Sequence, residues 1–362
     1  MKIDITRKQG DFLIDASFTG AGSGVTALYG PSGAGKTSVI NMVAGLMSPD
    51  KGHISVNGLH LFDSEQGINL PPELRRIGYV FQDGRLLPHL SVRGNLTYGL
   101  RLTPEKRRFV TFDSVVELLG IEHLLKRRPA GLSGGEKQRV AIGRALLTSP
   151  EMLLMDEPLA SLDPRRKAEV QPFIMRLCRE FKIPILYVSH VMYEILNLAD
   201  HLVIMDMGRV VASGNPEDLL SRPDLKGHFG RSELSSVILG TIEEHDSDSG
   251  LTRLGFDNHN LLVPPVDAPK GTPIRVHISA RHVAIAVKKP VETSFQNIFC
   301  CKVKKIVHDE GPFVNVQVET GNLWARITQK SCKDLDIHEG REVFAMVKTS
   351  TVSLGASVES LK

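Results

Sequence analysis

This sequence has little cysteine, little excess charge of either sign, and no long apolar run. Its four cysteines in 362 residues (Cys178, Cys300, Cys301, Cys332) form neither a C-x-x-C pair nor a disulfide-like framework. That excludes a small disulfide-held scaffold and points to a reduced, cytosolic setting. A net charge of +3 is too small to draw the chain to nucleic acid, and no nucleic-acid partner is expected. Apolar runs such as Met152–Met155 fall far short of the roughly 20 residues that span a bilayer. The segment Met1–Thr6 alternates apolar with polar residues as a strand does, without the basic-then-apolar order of a signal peptide. Any membrane association is therefore expected to run through a partner.

What is present is ordinary in bulk, with 41% hydrophobic and 23% charged residues. The length corresponds to two or three domains with full hydrophobic cores. The informative features are local. The apolar run Val25–Tyr29, typical of a buried strand, leads into Gly30-Pro31-Ser32-Gly33-Ala34-Gly35-Lys36-Thr37, and Ser38–Leu46 then reads as a helix. Strand, Gly-rich loop and helix in this order make a phosphate cradle: bare backbone N–H groups and a helix N-terminus face the anion. Lys36 is placed to reach the β- and γ-phosphates and Thr37 to put its hydroxyl on Mg²⁺.

Turn signals at Pro49–Gly52, Asn57-Gly58 and Pro71-Pro72 separate short β patterns and predict a small antiparallel subdomain over 47–80. A strand Ile77–Phe81 ends at Gln82. The apolar loop Leu86–Leu90 after it either tucks into the core or forms a docking surface. Residues 104–127 read as helical and charged. In Leu132-Ser133-Gly134-Gly135-Glu136 two glycines follow a serine at a helix start, with Val140, Ile142, Ala145 and Leu146 at helical spacing behind them. The strand Met152–Met155 ends in Asp156-Glu157: beside a phosphate loop, Asp156 suits Mg²⁺ and Glu157 suits the orientation and deprotonation of water. Ser161-Leu162-Asp163 opens a helix over 164–181, and the strand Ile185–Ser189 delivers His190. Functional groups at the ends of neighbouring strands fit the rule for ligand sites in parallel α/β sheets.

Taken in order, Gly30–Thr37, Gln82, Leu132–Glu136, Asp156-Glu157, Asp163 and His190 resemble the ATP-binding cassette ATPases over residues 1–231. The resemblance implies an α/β P-loop NTPase cassette with a parallel core sheet, an antiparallel β subdomain and a helical subdomain. It also implies ATP and Mg²⁺ as cofactors, with Thr37, Gln82 and Asp156 around the metal and Glu157, Gln82 and His190 as the catalytic set. It further implies a dimer in which Ser133, Gly134 and Gly135 of one chain meet the γ-phosphate held by Lys36 and Thr37 of the other. At the place of the adenine-stacking aromatic the sequence has Lys8-Gln9-Gly10, with Phe12 nearby.

From about residue 232 the helix signals stop. Short β runs such as Ile274–Ile278 and Val283–Val287, separated by turn clusters at Asp246–Gly250 and Asp257–Asn260, predict an all-β region. It divides into a linker and first β part over 232–290 and a part over 291–356 that resembles the molybdate- or tungstate-binding Mop domain, a small OB-like barrel, which implies an oxyanion-binding or regulatory role. Ser294, Asn297 and Lys348 are its candidate oxyanion contacts. Over its whole length the chain is similar to ATP-binding subunits of bacterial molybdate importers. The similarity implies two transmembrane permease subunits docked near Leu86–Leu90, a periplasmic oxyanion-binding protein, and a peripheral place on the cytoplasmic face of the inner membrane. Cassette ATPases of DNA repair or translation usually carry two cassettes or a long coiled-coil insertion, and a storage protein has no need of the catalytic set. Sulfate, iron, a polyamine or a sugar is the alternative cargo.

Overall fold

The computed structural model describes residues 1–160, 162–229, 234–308 and 311–357. The chain divides into two compact units, Met1–Gly214 and Asn215–Lys362, and the boundary expected at 231/232 lies outside the described residues.

The first unit is built on one 11-stranded sheet. Its parallel part runs in the order His201–Asp206, Gly24–Tyr29, Pro184–Ser189, Met152–Asp156, Ile77–Val80. These strands are short apolar runs because both faces are covered. Alternate side chains separate two cores. Leu153, Met155, Ile185 and Tyr187 face helix residues Val140, Ile142, Leu146, Val170 and Ile174. Leu154, Leu186 and Val188 face Val39, Ile40 and Val43 of the helix Lys36–Ala44. The antiparallel part, made of Lys2–Gln9, Phe12–Thr19, Lys51–Val56, Leu59–Asp63 and Ile68–Asn69, joins the same sheet through Arg209–Gly214. The small antiparallel subdomain expected over 47–80 is thus an extension of the main sheet.

The continuous helical reading over 104–127 is corrected. One α-helix, Phe112–Leu119, stands between short 3-10 turns at Glu105–Arg107 and Glu122–Leu124. Thr111 caps its start by accepting a hydrogen bond from the Ser114 amide. Gly120, left-handed at φ 60°, ends it. This helix packs with Val92–Leu102 and Gly134–Leu146 as the helical subdomain.

The second unit holds two five-stranded antiparallel sheets over one apolar core. One sheet runs His259–Val263, Leu251–Phe256, Ser235–Asp246, Pro273–Ser279, Ser353–Ser357. The other runs Val283–Ala286, Glu342–Val347, Asn297–His308, Phe313–Val318, Trp324–Thr328, and its two end strands lie against each other so that the barrel nearly closes. The expected turn at Asp257–Asn260 is a two-residue hairpin with Asp257 (φ 42°) and Asn258 (φ 61°) both left-handed. The last strand of the Mop-like segment, Ser353–Ser357, pairs with Pro273–Ser279 of the other sheet. The barrel in turn takes its edge strand Val283–Ala286 from outside that segment, so the two β parts are interlaced. Trp324, the one tryptophan of the chain, is buried here at 1% exposure. Among the described residues no helix is long and apolar enough to cross a membrane.

Candidate active site

Because Gly24–Tyr29, Pro184–Ser189, Met152–Asp156 and Ile77–Val80 are parallel, their C-terminal ends meet at one edge of the sheet. The residues that follow them are Gly30–Thr37, His190, Glu157 and Gln82. This edge is where ligands sit in parallel α/β sheets.

The loop Gly30–Thr37 is shaped by glycine where glycine is needed. A Cβ on Gly30 would stand 2.1 Å from the Met205 carbonyl oxygen, and Gly35, at φ 95°, opens the helix in the left-handed region. The loop curls around the Lys36 ammonium, which donates to the carbonyls of Gly30 (2.7 Å) and Pro31 (2.8 Å). Burial lowers the Lys36 pKa, and the nearby carboxylates of Glu157 and Asp156 oppose that shift. A hairpin turn supports the loop from behind: the Gly208 amide donates to the Ala34 carbonyl (3.1 Å) and the Gly208 carbonyl accepts from the Asp15 amide (2.8 Å). The Phe12 ring lies beside both Gly35 and Gly208.

Thr37 Oγ1 donates to Asp156 Oδ1 at 3.3 Å. Burial raises the Asp156 pKa, the Thr37 hydrogen bond lowers it, and the charge of Glu157 raises it again. At the next position Glu157 turns out of the strand at φ 47°, pinned by its amide to the Val188 carbonyl (3.0 Å). Its carboxylate Oε1 lies 3.0 Å from His190 Nδ1. Gln82 is exposed just beyond the strand Ile77–Val80.

Lys36, Thr37, Asp156, Glu157 and His190 are thus brought together. Ser133, Gly134 and Gly135 are not: among the described residues no hydrogen bond or ion pair joins them to Gly30–Thr37. Ser133 instead caps its own helix. Its Oγ accepts from the Glu136 amide (3.3 Å) while Glu136 Oε2 accepts from the Ser133 amide (2.7 Å). Gly134 and Gly135 pack against Leu162, Arg166 and Val170. Asp163 caps the following helix, accepting from the Arg166 amide (3.2 Å), and Ser161 lies outside the described residues. Of the apolar loop, Leu86 packs into the core while Pro88 and His89 are exposed; the buried Asn95 side chain holds the loop through both backbone groups of Leu87 (2.7 and 3.1 Å).

Residues 13–160 match the ABC transporter family and residues 293–354 the TOBE domain. The molybdenum import ATP-binding protein ModC of Paramagnetospirillum magneticum is 53% identical, over 99% of this chain and 100% of its own length. The chain belongs to the ATP-binding cassette family. The protein of the same description from Rhodospirillum rubrum is 49% identical over 99% of each chain. Among solved structures, cbiO1 of Clostridium perfringens, part of an ABC transporter complex, aligns with a TM-score of 0.51 at 29% identity, covering 62% of this chain and 92% of its own. An ADP-bound conformation of another ABC transporter cassette aligns at 0.52 with 28% identity, over 63% and 98%. As a cassette ATPase the chain binds nucleotide.

Several residues packed on the elements that form this edge carry no motif. Tyr79 directs its hydroxyl to Asn41 Oδ1 (2.9 Å) and Asp156 Oδ2 (3.5 Å). Arg75, 1% exposed, donates to the carbonyls of Met42 (2.7 Å) and Val43 (2.9 Å) at the end of the phosphate-loop helix. Glu194, also buried, accepts from Lys167 (2.8 Å), Tyr187 (2.9 Å) and Ser189 (2.9 Å), behind His190. Nothing in the sequence pattern singles any of these out.

In the second unit, Asn297 has both amide atoms on the Leu262 backbone (2.7 and 2.9 Å). Ser294 is exposed, and the Lys348 ammonium lies 5.5 Å from the Phe295 ring centroid.

Proposed function

We propose that this chain is the ATP-hydrolysing subunit of a molybdate importer, working as a pair of copies beneath two membrane permease subunits. The observation that carries the ATPase is the meeting of Lys36, Thr37, Asp156, Glu157 and His190 at one sheet edge. Similarity along nearly the whole chain to molybdenum import ATP-binding proteins carries the cargo.

In this reading Gly30, Pro31, Ser32, Gly33, Ala34 and Gly35 wrap the β- and γ-phosphates, and the Lys36 ammonium exchanges a loop carbonyl for a phosphate oxygen. A hydroxyl and a carboxylate 3.3 Å apart, Thr37 and Asp156, are hard oxygen donors of the kind Mg²⁺ takes alongside phosphate and water, with Gln82 from the next loop. Bound there, the metal would neutralise charge on the phosphate oxygens. Glu157 orients a water and takes its proton as the oxygen bonds to the γ-phosphorus and the bond to the ADP oxygen breaks. His190 holds Glu157 from one side and faces the leaving phosphate. A second copy supplies Ser133, Gly134 and Gly135, which among the described residues make no hydrogen bond to the phosphate loop of their own chain.

The partners in this reading are a permease pair touching the exposed part of Leu86–Leu90 and, beyond the membrane, a periplasmic oxyanion-binding protein; the chain then sits on the cytoplasmic face. The C-terminal unit offers an oxyanion Ser294 and Lys348, Asn297 being engaged with Leu262. The test is uptake of molybdate, tungstate and sulfate in cells lacking the chain. Molybdate uptake is lost and is restored by the intact chain but not by Glu157→Gln. Unchanged molybdate uptake, with sulfate, iron, polyamine or sugar uptake lost instead, overturns the cargo.

A further inference from the structure

The turn that presents Gln82 and Asp83 is closed by the Gly84 amide on the Phe81 carbonyl (2.9 Å). It is clamped on both sides. On one side Arg144, in the last turn of the helix Gly134–Leu146, donates to the carbonyls of Arg85 (2.8 Å) and Gly84 (3.0 Å). On the other side the Arg85 guanidinium stands 4.1 Å over the Phe81 ring. Phe81 stacks on Tyr79 with centroids 4.0 Å apart and planes at 24°. The Tyr79 hydroxyl then ends the stack between Asn41, on the phosphate-loop helix, and Asp156. Asp156 thereby has hydroxyls from two elements against it, Thr37 at 3.3 Å from one oxygen and Tyr79, whose single proton is shared with Asn41, at 3.5 Å from the other.

We propose that Arg85, Phe81 and Tyr79 form a positioning column that fixes the Asp156 carboxylate relative to the Gln82 turn. The column touches no substrate atom and acts through Asp156. Flat rings in contact transmit a displacement with little slack, because a packed stack does not compress. A hydroxyl on the outer oxygen of a metal-binding carboxylate orients it, as outer-shell partners of metal ligands do. Through the Arg85 and Gly84 carbonyls that Arg144 holds, the column therefore links the end of the Gly134–Leu146 helix to the metal side of the phosphate loop. The proposal rests on Asp156 being the metal-binding carboxylate.

The test uses the full chain and a fluorescent ATP analogue, with affinity measured in chelator and then across a Mg²⁺ titration. Tyr79→Phe keeps the ring and its stack and removes only the hydroxyl. Its affinity in chelator stays within about twofold of wild type, while the Mg²⁺ concentration at half-effect rises on the order of tenfold. Phe81→Leu shifts the same midpoint in the same direction, and the two changes together go no further than Tyr79→Phe alone, as residues acting through one contact do. Asp156→Asn is the reference. If Asp156→Asn moves the Mg²⁺ midpoint and Tyr79→Phe does not, or if the double variant is additive, the column is overturned. If Asp156→Asn also leaves the midpoint unchanged, the metal reading beneath it fails instead. Melting curves for each variant separate these effects from loss of fold.

Discussion

Glu157 occupies a left-handed backbone position, φ 47°, that a glutamate rarely adopts, one residue past a buried strand. That position turns its carboxylate away from the sheet and toward His190. In the proposed mechanism Glu157→Gln keeps the shape of the site but removes the proton acceptor. Nucleotide affinity stays within about threefold while kcat falls on the order of a hundredfold or more, checked by analogue binding against phosphate release. Gly208 is constrained in the opposite sense: at φ 82°, a Cβ would stand 2.0 Å from the Leu13 carbonyl oxygen. Gly208→Ala costs about 1–3 kcal/mol in urea unfolding and weakens ATP binding, since the turn supports Ala34. Gly30–Thr37, Gln82, Asp156, Glu157 and His190 stood out in the sequence because they fall at or just past the ends of apolar runs, where a parallel strand must stop, while Ser133–Gly135 and Asp163 stood out as helix starts. Tyr79, Asn41 and Arg75 were not legible. Their partners lie tens of residues away (Tyr79 and Asn41 are 38 apart) and are set by packing of the helix on the sheet.

At the scale of elements, the helix Gly134–Leu146 begins with a capping box whose Ser133 hydroxyl is turned inward to Glu136. Hydrogen bonds to the Ser133 amide and hydroxyl lower the Glu136 pKa, with its own burial opposing them. We predict that Ser133→Arg abolishes hydrolysis while nucleotide binding to a single chain is retained; wild-type ATPase rates would remove the two-chain site. Arg75 plays the complementary part at a helix end. Its guanidinium also donates to the Leu70 carbonyl (2.7 Å) and Asn69 Oδ1 (2.8 Å), so each of its three nitrogens is engaged. Arg75→Ala strands the Val43 carbonyl, leaves Met42 only the Gly45 amide, and destabilises the first unit by about 3 kcal/mol in urea, with weaker nucleotide binding because the helix Lys36–Ala44 loses its anchor. Element type was legible wherever the apolar period was regular, as at 152–156, 164–181 and 184–189. It failed at 104–127, where charge and helical composition hid the stop imposed by Gly120.

For the whole molecule, the two compact units carry different chemistry and different sensitivities. In the second unit, burial first and the His282 charge second bring His277 down to about 4 from 6.5. Between those values the unfolded chain binds a proton there that the folded chain does not, so stability falls as pH drops through this window and the loss is complete below about 4. The loss amounts to about 2 kcal/mol once partial exposure is allowed for. His277→Gln flattens the dependence, as measured by urea unfolding at pH 7 and pH 4.5. The change of period near residue 232 lies outside the described residues, and the structure divides the chain earlier, at Gly214/Asn215. The interlacing of the β parts was not legible, because the edge pairings of Val283–Ala286 and Ser353–Ser357 depend on where long-range partners lie and not on local pattern.

The burial of the sole tryptophan gives this chain a built-in optical label. All indole emission comes from Trp324, among Leu234, Ala280 and Val307, and none from the ATPase unit. A red shift of that emission on adding denaturant reports the β unit alone, while loss of bound nucleotide analogue reports the other. The unfolding of the two halves is thus separable in one cuvette, without cutting the chain or attaching a dye.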